Sequence, residues 1–140
     1  MFWNKTITLY NKYTDEQTGI IRWYRHSLEN CFYKSTNNKI NVGSVQLQTD
    51  DNVIRIPEQR NYLTPFKWLE LPNDKKGEFM TLQSDDLIFL GEVTEEIDEY
   101  TQGKRSNDIV KKYSSLGSVF VNSVNVNDFV PGAHYFVRGE

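Results

Sequence analysis

Thr81-Leu82-Gln83-Ser84-Asp85-Asp86-Leu87-Ile88-Phe89-Leu90-Gly91-Glu92-Val93 holds a nearly continuous apolar run, Leu87 to Leu90, between an aspartate pair and a glycine. A short apolar run flanked by turn formers suits a central strand buried on both faces. Beyond it, Ser106 is placed to cap a helix, and Asp108 falls in the first turn. Ile109, Tyr113 and Leu116 then line one stripe, and Gly117 stands where a left-handed C-cap is wanted. The spacing predicts one short helix over Ser106 to Leu116. Ser118 to Val126 alternates Val119 and Val121, then Val124 and Val126, with polar neighbours. The phase slips between Val121 and Val124, the mark of a bulge. Pro131-Gly132 signals a turn, and Tyr135-Phe136-Val137 closes the order as a last strand.

Working back toward the N-terminus, strands again dominate. Thr6 to Tyr10 and Ile20 to Tyr24 flank Asp15-Glu16-Gln17-Thr18-Gly19, which reads as a hairpin turn. Cys31-Phe32-Tyr33 starts a third segment. Ser35-Thr36-Asn37-Asn38-Lys39 is too rich in Asn and Ser for a strand interior. Val45 to Thr49 and Val53 to Ile56 alternate cleanly, and Pro57 ends the second of them. Residues 35–51 therefore read as a projecting loop or hairpin. Residues 58–79 read as irregular because of Pro65 and Pro72, with Trp68 anchoring them to the core. About seven to nine strands and one helix, without β-α-β alternation, predict a mainly β single domain: an antiparallel barrel or sandwich. Trp68, Leu87, Phe89, Ile109 and Tyr113 are expected to share one core.

Composition narrows the function classes. The chain has 140 residues, enough for one domain with a real core. Aromatics make up 14% and charged residues 25%, the balance of a folded globular chain. No apolar run approaches the roughly 18 residues of a membrane span. The N-terminus lacks a basic leader before an apolar core, so no secretory signal is expected. Cys31 is the only cysteine, which excludes an internal disulfide framework and suits a reducing compartment. The net charge of -3 is segregated: residues 1–45 carry +3, residues 46–100 carry -8, and residues 101–140 carry +2. This is not the broad basic footprint of a nucleic-acid binder. It suits a protein with faces of opposite sign, although unevenly charged solvated loops give the same tally.

Catalytic patterns are sparse. His26 and His134 are the only histidines, and neither has a Cys or His at ligand spacing. Cys31 lies beside Phe32 and Tyr33 and reads as a small buried hydrophobe. The acidic run from Glu92 to Glu99 lacks the glycine-punctuated loop that wraps calcium, and reads as a solvated face. Asp85 and Asp86 are neighbours and would point to opposite faces of a strand, so they read as the turn entering Leu87. Gly103-Lys104-Arg105-Ser106 lacks phosphate-loop spacing. No catalytic set, metal site or cofactor is expected.

Ile56-Pro57, the aromatic segment around Trp68, Leu82 through Gly91, and the ending Ser123 to Asn127 with Pro131 to Gly139 form a familiar layout. An apolar strand entered at a Ser-Asp step and closed by Gly is followed by a helix and a terminal strand beginning with His. In this the chain resembles small head–tail connection proteins of tailed phages and prophages, head-closure (stopper) type. The resemblance implies a non-enzymatic virion protein, made in the host bacterial cytoplasm and housed at the head–tail interface. It implies a homo-oligomeric ring below the portal and adaptor, above tail terminator or tail tube proteins, around genomic DNA. Loops of such proteins narrow the DNA channel, which makes Asn37, Asn38, Lys39, Asn41 and Gly43 candidates to face it. Glu92, Glu95, Glu96, Asp98 and Glu99 are the candidate docking charges. The competing expectations are a tail terminator or tail completion protein and, from another class, a small β-barrel binding module using exposed Trp and Tyr.

Overall fold

The computed structural model describes the backbone of residues 4–42, 45–127 and 134–139, and the side chains in that set except those of 35–42, 45–51, 126, 127 and 134. Among the described residues six strands form a closed antiparallel ring: β1 (Lys5–Thr14), β2 (Ile21–Val42), β3 (Val45–Pro57), β4 (Leu87–Phe89), β5 (Ser118–Asn127) and β6 (His134–Gly139). The order around the ring is β1-β2-β3-β6-β5-β4, with β4 closing back on β1. The chain is mainly antiparallel β. Of barrel and sandwich, the closed ring is the architecture adopted.

Six strands replace the seven to nine expected because two of them are long. β2 runs for 22 residues and absorbs three of the expected pieces. Its first half pairs with β1, from Thr14↔Ile21 to Lys5↔Cys31, and its second half pairs with β3, from Phe32↔Arg55 to Val42↔Val45. Asn30 sits at the handover with φ +59°, a left-handed conformation that Asn tolerates better than most residues. The polar run from Ser35 to Lys39 is strand after all. Beyond Ser35↔Asn52, β2 and β3 pair with no third strand among the described residues. A two-stranded ladder has no inner face that demands apolar residues.

The core follows strand alternation. Ile7, Leu28, Ile54, Ile88, Val121 and Val137, one from each strand, belong to a single buried cluster that fills the ring. Side chains of opposite parity, Tyr10, Trp23, Leu87 and Phe89, face a second cluster outside the wall, with Val93, Ile97 and Ile109. The strand around Ile88 is therefore buried on both faces, as its apolar run required. Tyr113 packs on this outer cluster, its ring 6.2 Å from that of Phe89.

Trp68 lies elsewhere, contrary to the single core expected. Two short helices, α1 (Pro65–Leu69) and α2 (Asn73–Lys76), occupy the stretch read as irregular. Pro65 opens α1 instead of breaking it, since the first turn of a helix needs no N–H from that residue. Trp68 is fully buried there, its indole N–H shared between the carbonyls of Phe79 (3.0 Å) and Lys76 (3.2 Å). Tyr24 meets it edge-on at 5.6 Å. Only the third helix, α3 (Ser106–Lys112), was foreseen, and it stops short of Leu116. Arg105 takes the N-cap position, and Asp108 accepts from the backbone N–H of Gly103 and Arg105. Gly117 has φ +87°, but follows a turn instead of the helix itself.

The bulge read from the valine phase is present: the β5–β6 register shifts between Val121 and Ser123. Gly139 makes this crossing possible. A Cβ there would stand 2.3 Å from both the Phe120 carbonyl oxygen and Val119 Cγ1.

Candidate functional site

The acidic stretch after β4 is not a freely solvated face. It crosses the outer cluster, and Val93 and Ile97 are buried beneath it. Tyr10 donates its hydroxyl to the Glu95 carbonyl, and Arg25 Nε donates to the Val93 carbonyl, both at 2.5 Å. Three of the five candidate docking carboxylates have internal work. Glu95 Oε1 meets Lys112 Nζ at 2.9 Å, which holds its carboxyl below the usual range. Glu99 Oε1 accepts from the Trp23 indole and from the Ser106 amide, each at 3.0 Å. Asp98 accepts from Tyr100 N and Thr101 Oγ1, and these bonds lower its pKa. Glu92 and Glu96 are exposed, with no hydrogen bond or ion pair among the described residues. The bonds place Glu95, Glu96 and Asp98 along one loop, with Glu99 turned inward.

Asn37, Asn38, Lys39 and Asn41 lie in β2, in the two-stranded part of the ladder, and their side chains lie outside the described residues. Gly43 lies outside the described residues altogether, as does the side chain of His134 at the start of β6. Seven residues of extended chain, Thr36 to Val42, carry this ladder about 23 Å from its last three-stranded position.

A groove of about 610 Å³ opens beside the β1–β2 hairpin. Its floor is Ile20 and the start of β2, Ile21 to Tyr24. One wall is Asn73 and Asp74 at the head of α2, and the other is the loop from Glu96 to Tyr100. Tyr100 is 62% exposed, and its hydroxyl accepts from Ile21 N at 2.9 Å. The charged residues that line it, among those described, are Asp74, Glu96, Asp98 and Arg22.

Sequence reading missed a buried polar cluster. Asp86 is fully buried and accepts three hydrogen bonds: from Lys12 N (2.9 Å) at Oδ1, and from Asn11 Nδ2 (2.9 Å) and Gln83 N (3.0 Å) at Oδ2. Asn11 also donates to the Thr81 carbonyl and accepts from Thr81 N. Burial pushes the Asp86 carboxyl up to about 7, and these hydrogen bonds oppose the shift. The cluster ties β1 to the turn that precedes β4. The available signal was an Asn directly after the apolar residues of β1 and an Asp directly before Leu87.

The one cysteine is not set up to act as a nucleophile. Cys31 is fully buried, and burial pushes its thiol up to about 12, so it stays protonated. Burial lowers His26 to about 4, leaving a neutral imidazole at pH 7. Among the described residues no group of three or more His, Cys, Asp or Glu side chains is arranged to hold a metal ion.

No curated protein and no solved structure matches the chain. A family model matches residues 2–140, essentially the full sequence. The chain belongs to the family of unknown function DUF6751.

Proposed function

We propose that this chain is a structural protein of the phage neck, a head-closure (stopper-type) head–tail connector whose copies form a ring around the DNA channel. The observation that carries the reading is the β2–β3 arm, which leaves a closed, side-chain-filled ring of strands as a two-stranded ladder. Interior positions from all six strands are occupied, so DNA would pass between copies and not through one protomer. An arm of about 23 Å is long enough to reach from a ring of subunits toward its axis. The layout shared with head-closure proteins supports the same assignment, as does the polar composition of the arm. On this reading the partners are further copies of the chain, portal or adaptor proteins above, tail terminator or tail tube proteins below, and DNA held without regard to sequence. Phe66 (75% exposed) and Leu69 (49%) on α1 offer apolar surface to a neighbouring copy.

Deleting the gene from an inducible prophage tests the proposal. The expected result is DNA-filled heads that leak and do not join tails, restored by supplying the chain in trans. Normal infectious particles from the deletion would remove the neck assignment. The alternative of a small β-barrel binding module draws on the aromatic groove, and normal particles would favour it.

A further inference from the structure

The groove beside the hairpin runs along the edge of β2 that faces away from β1. Asp15 N donates to the Ile20 carbonyl at 2.9 Å, so these residues form the last hydrogen-bonded pair of the β1–β2 ladder. Antiparallel pairs alternate between bonded and non-bonded, so the next pair, Thr14↔Ile21, turns its N–H and C=O groups outward. Two bonds agree with this parity. Ile21 N reaches away from β1 to the Tyr100 hydroxyl, and Lys12 N reaches the other way, to Asp86. The register then puts the N–H and C=O groups of Trp23 and Arg25 on the outer edge of β2. β3 pairs with β2 only from Phe32 onward, so no strand among the described residues covers that edge. Outside the β1 ladder, the backbone groups of Trp23 and Arg25 have no partner among the described residues. Tyr100 occupies the neighbouring position as a single side-chain hydroxyl.

We infer that this edge is a docking site for an extended, positively charged segment of a partner protein, added to β2 as a further strand. The two walls suit alternate side chains of such a strand. Ile21, Trp23 and Ile97 lie on the side of the outer cluster, where apolar side chains find cover. Arg22 and Tyr24 lie on the other side, with the Tyr24 hydroxyl donating to the Asn73 carbonyl. Asp74, Glu96 and Asp98 outnumber Arg22 in the groove lining, and Arg25 on the same edge has its Nε turned to the Val93 carbonyl, so the groove favours a basic occupant. Backbone bonds give such a complex its affinity, and the alternate pockets and the charge give it selectivity. The inference does not depend on the neck assignment.

Amide exchange in the isolated full chain, followed residue by residue, tests it. In the free protein Trp23 and Arg25 amides are expected to exchange fast and those of Arg22 and Tyr24 slowly. The probe is a capped nonapeptide alternating Val and Lys. It should protect Trp23 and Arg25, while its Val/Glu counterpart binds at least about tenfold more weakly. N-methylation of its edge-facing amides should abolish the protection. Glu96→Lys with Asp74→Asn should weaken Val/Lys binding at an unchanged unfolding temperature. Slow exchange of Trp23 and Arg25 in the dilute free chain would overturn the proposal, because the edge would already be covered. So would equal binding of the two peptides, or no protection by either. Protection that rises with protein concentration without peptide would assign the edge to a second copy and equally overturn it.

Discussion

A buried carboxylate without a bonded cation is costly, and Asp86 is one. Its oxygens face three N–H donors, so an Asn at position 86 would turn its own N–H₂ against at least one of them. The folded pKa of about 7 lies above the unfolded value of 3.8, so the folded state holds the proton more tightly. The stability this contributes is full below about pH 4 and is lost as pH rises through about 7, on the order of 4 kcal/mol in all. His26 works in the opposite sense. Its folded pKa of about 4 lies below 6.5, so its contribution is lost as pH falls through that window. The difference between wild type and Asp86→Asn isolates the carboxylate. Denaturation midpoints from pH 5 to 8 should show wild type losing stability relative to the variant as pH rises. A difference that stays constant across that range would refute the assignment. None of this was legible in the sequence, because an Asp before an apolar run has the same local pattern whether it ends a turn in water or is buried in a nest of amides.

Elements whose apolar residues alternate were legible, and elements defined by pairing alone were not. The first hairpin, the Val53–Ile56 end of β3, β5 with its bulge, and the start of α3 all follow from patterns within about ten residues. The continuity of β2 does not, because its outer half buries no face against a third strand. Pro65 and Pro72 were misread because proline is disfavoured inside a helix but welcome at its start. The arm itself makes a testable unit. Deleting residues 37–42 and 45–50 removes six residues from each strand, which preserves the alternation and keeps Gly43-Ser44 as the connection between Thr36 and Asp51. The deleted pairs touch neither β1 nor β6. The shortened chain should therefore keep its fold and melt within a few degrees of wild type by circular dichroism. An unfolded product would mean that the arm belongs to the cooperative unit. On the neck reading, the same deletion should leave particles that assemble but lose DNA.

At the scale of the whole molecule, ring closure depends on β4, which is only three residues long yet bridges β1 and β5. Its apolar run revealed the strand, but nothing local to it identifies both neighbours, so barrel and sandwich stayed equivalent in the sequence. Charge segregation was legible, and the fold sorts its members. Glu95, Asp98 and Glu99 hold the acidic loop in place, so reversing them disturbs the protomer before it tests docking. Glu92 and Glu96 are the carboxylates left to act outward. If the basic first third of one subunit meets this acidic loop in a ring, or an adaptor does so, the contact is steered by charge and screened over about 8 Å at physiological salt. Association with the upstream connector should weaken as salt rises. Glu92→Lys with Glu96→Lys should weaken it further at an unchanged melting temperature. Glu16→Lys is the matched control, since Asp15 caps its own turn through Gln17 N and Thr18 N and is unsuitable. If the double variant and the Glu16 variant join heads to tails as well as wild type, at low and high salt alike, the acidic loop is not the docking surface, whatever the oligomeric state of the chain.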